Sequence, residues 1–431
     1  MRKIPTLFLI FLLSSTAFAQ MPPLSISTLD SGLTAILKED HATDLVGIEI
    51  YIKAGTFSEG VSNNGISHFI EHLLFAGTSK RQAGDMDVEM ESVGATLDAY
   101  TGVDYAHFGA TVSSRYLNKA LEIFADAIND SQFRADDVER ERLVILDEIA
   151  RKLSNRRLIC RAMLAERIYG QHPYSLPLEG TADNVKKLTR EELLAHYRRY
   201  YNPANMGIVL VGDFDSKVAL EEINKLFPKL ATISDQKALP VVVPVKEQIR
   251  ESVSAKLDSH ALAIGFLGPQ SADREDVCAI DVLTSYLGHG YRSWIAEELK
   301  TKAGLVQDID VDFVTQRGQG MISIVVSGAE DNLSKARDAI FDKLNNIASR
   351  GLSQGELELA KRTVLGQSAY ELETVSGRAN AYGFYFAVSE AAFADTYSAC
   401  INSVTNEAIT KAARKYLNPK TAVVLTVEPA K

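Results

Sequence analysis

The stretch His68-Phe69-Ile70-Glu71-His72 is the one around which the rest of the chain is best read. On a helix with about 3.6 residues per turn, positions 68, 71 and 72 fall within about a third of the circumference. Two imidazoles one turn apart can share a metal, with a carboxylate beside the second. Zinc suits such a group, because it accepts imidazole nitrogens and carboxylate oxygens and keeps a position open for water. Taken alone, the five residues also fit an ordinary core or solvated helix that happens to carry two histidines.

Upstream, Asn63, Asn64 and Gly65 make a polar loop into this helix. Ile66, Phe69, Ile70, Leu73 and Leu74 give it apolar surface, and Gly77 stops it. Val46, Ile48, Ile50 and Ile52 alternate as a half-buried strand does. Residues 24–38 read as a hairpin turning at Asp30-Ser31-Gly32. Downstream come a short helix over 86–93, strands over 95–101 and 105–112, a helix over 117–128 and a long charged helix over 135–153. Glu141 and Glu148 lie seven apart on that last helix and so point the same way, although any one Glu on so acidic a helix is more often solvated. A helix over 157–169, a loop over 170–180, a helix over 190–201 and a strand over 206–211 complete the first half.

Residues 228–245 are rich in Pro and Val, lack a helical period and read as a linker. Beyond it the first half is echoed. Thr189-Arg190-Glu191-Glu192 through Tyr201-Asn202-Pro203 and its strand recur as Thr405-Asn406-Glu407 through Leu417-Asn418-Pro419 and a strand over 422–427, at an offset of 216. This implies duplication and an α+β fold of two similar domains, each a β-sheet covered by helices. The expected division is 1–19 signal segment, 20–226 N-terminal zinc-binding domain, 227–246 linker and 247–431 C-terminal domain without metal. At the same offset His68–His72 falls on Thr284–Gly288, which lacks the metal pattern.

Arg2 and Lys3, the apolar run from Leu7 to Leu13, and Ala17-Phe18-Ala19 form a signal segment over residues 1–19. No later apolar stretch is long enough to span a bilayer, so the mature chain is expected to be exported without a membrane span: periplasmic in a Gram-negative source, otherwise secreted. With 46 basic against 56 acidic residues, the net charge of −10 argues against nucleic-acid binding. Cys160, Cys278 and Cys400 are not a disulfide framework. A Cys278–Cys400 bridge is open to an exported chain, but spacing does not establish it.

The sequence resembles the pitrilysin-type peptidases, the inverted-zincin family that includes insulin-degrading enzyme and mitochondrial processing peptidase. The likeness extends over essentially the whole mature chain and is nearest to the short-chain, processing-peptidase-like members. It rests on GISHFIEHLLFAGT at residues 65–78 and on Glu141-Arg142 followed by Asp147-Glu148, 75 residues lying between His72 and Glu148. Leu97-Asp98-Ala99-Tyr100-Thr101, His172-Pro173-Tyr174 and Tyr201-Asn202-Pro203 match further positions. The resemblance implies one Zn²⁺ per chain held by His68, His72 and Glu148, Glu71 acting on water, and Glu141 orienting the site. It also implies that the segment with Asp98 and Ala99 receives a peptide substrate by strand addition.

Two departures qualify this. Asp98 stands where the family usually has Asn, and an ionised Asp donates no side-chain hydrogen bond. Many members carry an Arg and a Tyr seven positions apart in the second domain to stabilise the oxyanion. Here Lys300 and Gln307 occupy those positions, without a guanidinium fork or a phenol. The expectation is therefore a zinc-bearing subunit of a dimer whose zinc-less paralogue supplies the Arg/Tyr pair, with a homodimer as the alternative. The expected function is a zinc endopeptidase acting on peptides or small unfolded polypeptides. A non-catalytic scaffold and a specific precursor processor are the competing readings.

Overall fold

The computed structural model describes residues 23–152, 155–228 and 239–430. The signal segment expected at 1–19 and part of the expected linker lie outside the described residues. In the first half, β1 (Ser25–Thr28), β2 (Thr34–Glu39) and β3 (Leu45–Ile52) lead to α1 (Ile66–Leu74) and α2 (Asp85–Ser92). There follow β4 (Leu97–Thr101), β5 (Ala106–Ser113), α3 (Leu117–Asp130), α4 (Ala135–Lys152) and α5 (Arg156–Tyr169). The half ends with α6 (Ala182–Lys187), α7 (Arg190–Tyr200), β6 (Met206–Gly212) and α8 (Ser216–Leu226). The second half runs β7 (Ile249–Ala255), β8 (Ala261–Gln270), α9 (Arg274–Gly288), β9 (Ile309–Val314) and β10 (Gln319–Ser327). It closes with α10 (Glu330–Arg350), α11 (Gln354–Glu371), α12 (Val375–Val388), α13 (Phe393–Ser403), α14 (Asn406–Tyr416) and β11 (Val423–Pro429).

The two sheets have one topology. The first is ordered β1-β2-β6-β3-β5-β4 and the second β7-β11-β8-β10-β9. In each, the early strand pairs in parallel with the last one (β2 with β6, β7 with β11), and the other pairs between matched strands are antiparallel. The β1 strand of the hairpin predicted over 24–38 is the addition in the first sheet. The duplication read from the repeated segments is therefore a duplication of sheets.

One face of each sheet carries its own half's helices. In the first half Phe69, Ile70, Leu73 and Leu74 of α1 pack fully buried with Ile48, Ile50, Phe108 and Leu210. The opposite faces are covered by helices that cross over. From the first half, α5 lays Cys160, Leu164 and Ile168 on Ala263, Val423 and Leu425 of the second sheet. Its arginines pair there too, Arg156 with Asp308 at 2.8 Å and Arg161 with Asp310 and Asp312 at 2.8 and 3.0 Å.

From the second half, α12 sets Ala379 and Tyr382 against Ile36, Val209 and Val211 of the first sheet. This corrects the expectation of a half-buried β3. Seven of its eight residues are buried, including Glu49 and Tyr51 on the face that the alternation marked as polar. The close approach of α12 needs a bare backbone, because a Cβ on Gly383 would lie 2.1 Å from the Tyr51 ring. Tyr51 is fully buried and its hydroxyl donates to Asn380 Oδ1 at 3.2 Å.

Cys278 and Cys400 form a disulfide between α9 and α13, their Cα atoms 6.2 Å apart. No helix among the described residues is long and apolar enough to cross a membrane.

Candidate metal centre

The site starts from how α1 is held. Gly65 enters the helix at φ +97°, where its missing side chain also admits the Glu179 carbonyl, which would lie 2.7 Å from a Cβ. The first amides of the helix are taken by a buried carboxylate. Glu59 Oε2 accepts from Gly65 N–H and Asn64 Nδ2, both at 2.8 Å, and Oε1 accepts from Ser67 N–H at 2.9 Å. An anion here also complements the helix dipole. Sequence reasoning missed Glu59, since a lone acidic residue in a loop six positions before Gly65 gives no spacing signal.

With α1 anchored at its N-terminus and packed along its apolar face, His68, Glu71 and His72 project toward α4. The structure brings the predicted groups together. His68 Nε2 and His72 Nε2 each lie 3.7 Å from Glu148 Oε2, and ligand atoms of the three residues are all within 4.8 Å of one another. Donors about 2.0–2.1 Å from a tetrahedral zinc would be about 3.4 Å apart, so the group needs little adjustment to fit the ion. Glu141, two turns before Glu148, takes the other nitrogen of His72 at 3.3 Å from Nδ1. With Nδ1 donating there, the Nε2 lone pair is free for a metal. His68 Nδ1 is buried and has no hydrogen-bond partner among the described residues.

Electrostatics follow from burial and from these contacts. Burial, then the neighbouring His72, pushes the His68 imidazole down to about 3, which keeps it neutral. Burial pulls His72 down as well, but the Glu141 hydrogen bond and the charges of Glu148 and Glu71 outweigh it and leave its pKa raised. The His72 hydrogen bond, helped by Arg140, holds Glu141 below the usual carboxylate range. Burial raises Glu71. The Thr101 hydroxyl beside it offsets part of that rise, and apart from this contact neither Glu71 Oε2 nor the Thr101 hydroxyl has a hydrogen-bond partner among the described residues. A buried carboxylate oxygen engaged by nothing but the Thr101 hydroxyl, next to three converging ligand atoms, suits a water-activating base. The residues therefore fit a zinc ion with a water beside it.

The other predicted positions lie farther out. Asp98 and Ala99 sit on β4, at an edge of the first sheet. Ala99 packs on the first core together with Leu97, whereas Asp98 faces the other way, lining a cavity with Glu49, Glu371 and Tyr385. The Asp98 side chain is thus on the opposite face of β4 from Thr101 and Glu71. Lys300 and Gln307 are both exposed.

In the second half the counterparts of the three carboxylates of this site are apolar. At the 216 offset Glu71, Glu141 and Glu148 become Leu287, Leu357 and Val364, all buried in the second core.

Comparison with known proteins places the family. A model of the insulinase-type peptidase family M16 matches residues 34–182, and a model described as the M16 inactive domain matches 187–364. The chain belongs to peptidase family M16. The peptidase model covers the His68 helix and Glu148, and the one called inactive runs from Lys187, at the end of α6 in the first half, to Val364 in α11 of the second. An uncharacterized zinc protease of Rickettsia felis is 26% identical over 372 residues, covering 85% of this chain and 90% of that protein. Among solved structures, a protease from Helicobacter pylori superposes with a TM-score of 0.88 at 22% identity, covering 95% of this M16 chain and all of the other. The periplasmic protease PqqL of Escherichia coli does so with a TM-score of 0.74 at 19% identity, covering 95% of this chain and 48% of PqqL.

Proposed function

We propose that this M16 chain is an exported zinc endopeptidase that hydrolyses peptides or small unfolded polypeptides, as the zinc-bearing subunit of a dimer. The observation that carries the proposal is the convergence of His68, His72 and Glu148 beside the buried Glu71 carboxyl. Zinc bound there supplies a Lewis acid that polarises a peptide carbonyl and lowers the pKa of water to about 7. Glu71 takes the proton of the attacking water and returns it to the leaving amine nitrogen. Glu141 fixes the His72 ring and its tautomer. The outer edge of β4 offers unpaired backbone groups to an extended peptide, which would lie antiparallel or parallel to it as an added strand.

Export is supported by the character of residues 1–19, by the Cys278–Cys400 disulfide, which suits an oxidising compartment, and by the likeness to a periplasmic protease. The compartment is the periplasm if the source is Gram-negative. The dimer rests on Lys300 and Gln307. They stand where relatives carry the Arg/Tyr pair, so a zinc-less paralogue is the partner that would complete the oxyanion site.

The test is peptide hydrolysis by the zinc-loaded chain alone and after co-expression with such a paralogue. Hydrolysis by the pair only is the expected result. Full activity of the chain alone would overturn the heterodimer, and no hydrolysis by either preparation would contradict the peptidase assignment.

A further inference from the structure

We propose that Asp104 and Tyr174 are positioning residues for peptide hydrolysis, locking the turn that ends β4 to the equivalent turn of the second half. The inference rests on the peptidase reading and extends it. The turn at 102–105 joins β4 to β5, and the turn at 315–318 joins β9 to β10. These hairpins occupy the same place in the two duplicated sheets, each at an edge. The structure brings the two turns together. Tyr174 Oη donates to Asp104 Oδ1 at 2.7 Å and accepts from Gly318 N–H at 3.0 Å. Asp104 Oδ2 accepts from Arg317 N–H at 2.8 Å. Asp104 and Tyr174 are each 3% exposed, so none of these groups has water as a substitute.

The same turn is gripped from its other side. Phe57 N–H donates to the Val103 carbonyl at 3.0 Å, and the Arg317 guanidinium lies 4.2 Å from the centre of the Phe57 ring. Tyr174 belongs to the His172-Pro173-Tyr174 motif, for which the metal centre has no use.

The consequence concerns β4. It is five residues long and pairs with β5 on one side only among the described residues. An edge strand this short frays from its ends unless they are tied. Its last residue, Thr101, borders Glu71, so the Asp104 tie sets where a peptide added along β4 lies relative to that carboxyl. Removing the Tyr174 hydroxyl leaves an Asp104 oxygen and the Gly318 amide unpaired in a buried place, while α1 and α4 are untouched. The loss should therefore appear in peptide binding and not in zinc binding.

The experiment uses the full zinc-loaded protein, with its partner subunit where that is needed for activity, and the variants Tyr174→Phe and Asp104→Asn. Hydrogen exchange at residues 97–105 should quicken by about tenfold, with zinc content unchanged. KM for a peptide long enough to lie along β4 should rise by about tenfold while kcat changes less than about threefold. Unchanged exchange at 97–105, or an equal increase across the whole first sheet, would overturn the proposal; so would a fall in kcat with KM preserved. If Tyr174→Phe does not fold, Asp104→Asn, which keeps the shape, decides by the same readings. If the unaltered protein cleaves no peptide, the peptidase reading fails by itself, and exchange at 97–105 still decides whether the tie exists.

Discussion

Glu141 touches the metal centre only through His72, which makes its substitution a sharp test of the site. The two side chains are 15% and 16% exposed, and the Nδ1–Oε2 contact is 3.3 Å. A hydrogen bond to a charged group is worth about 1.5–3 kcal/mol net. Loss of such an outer partner of a ligating histidine typically costs about 10–100-fold in metal affinity. Because 3.3 Å is toward the long end for a charge-assisted bond, Glu141→Ala should weaken zinc binding by about 10–30-fold, or about 1.4–2 kcal/mol. Glu141→Gln keeps an acceptor oxygen for Nδ1–H but loses the charge, so its effect should be smaller, about threefold. Competition with a chromophoric zinc chelator at neutral pH measures both. A Glu141→Ala protein that binds zinc within twofold of the unaltered chain would refute the role given to this carboxylate.

Three further outcomes follow from the packing and charges of the first half. Glu59→Ala strips the buried amides of Gly65 and Ser67 of their acceptor and should destabilise the first half by about 2–5 kcal/mol, seen as faster hydrogen exchange along α1. Gly383→Ala would normally favour a helix by about 1 kcal/mol, but the clash with a Tyr51 ring that has no room to move should win. The net loss is about 1–3 kcal/mol, read from the urea midpoint. Glu89, hydrogen-bonded by Arg81 and then by Lys119, is held at about 2 against an ordinary 4.5. Its contribution is therefore complete above pH 4.5 and is lost as pH falls toward 2. With the side chain 31% exposed, solvent screening limits that contribution to about 1 kcal/mol. Glu89→Gln should lower the urea midpoint at pH 6 and make little difference near pH 2.

The sequence carried much of the site because its parts are local or periodic. His68, Glu71 and His72 share one helix, and the seven-residue spacing of Glu141 and Glu148 aims both at it. The strands of the first sheet were legible, β3 from its alternation, and the repeated Thr189 and Thr405 segments exposed the duplication, whereas β7 to β10 were not read from the sequence. What escaped was whatever depends on contacts distant in sequence. Alternation in β3 suggested one wet face, yet α12, more than 300 residues later, covers Tyr51 and its neighbours. The docking of α5 on the second sheet left no mark that a solvated amphipathic helix would not leave. Asp104 and Tyr174 are 70 residues apart, and Glu59 caps α1 from outside any capping pattern.

The central claim is that His68, His72 and Glu148 hold a zinc ion for which Glu71 is the base. It is tested most directly by Glu71→Gln, measured for zinc content and peptide hydrolysis together, in the complex that is active with the unaltered chain. The account predicts one zinc per chain and hydrolysis reduced by several orders of magnitude. Retained hydrolysis, or loss of the zinc along with it, would contradict that division of roles.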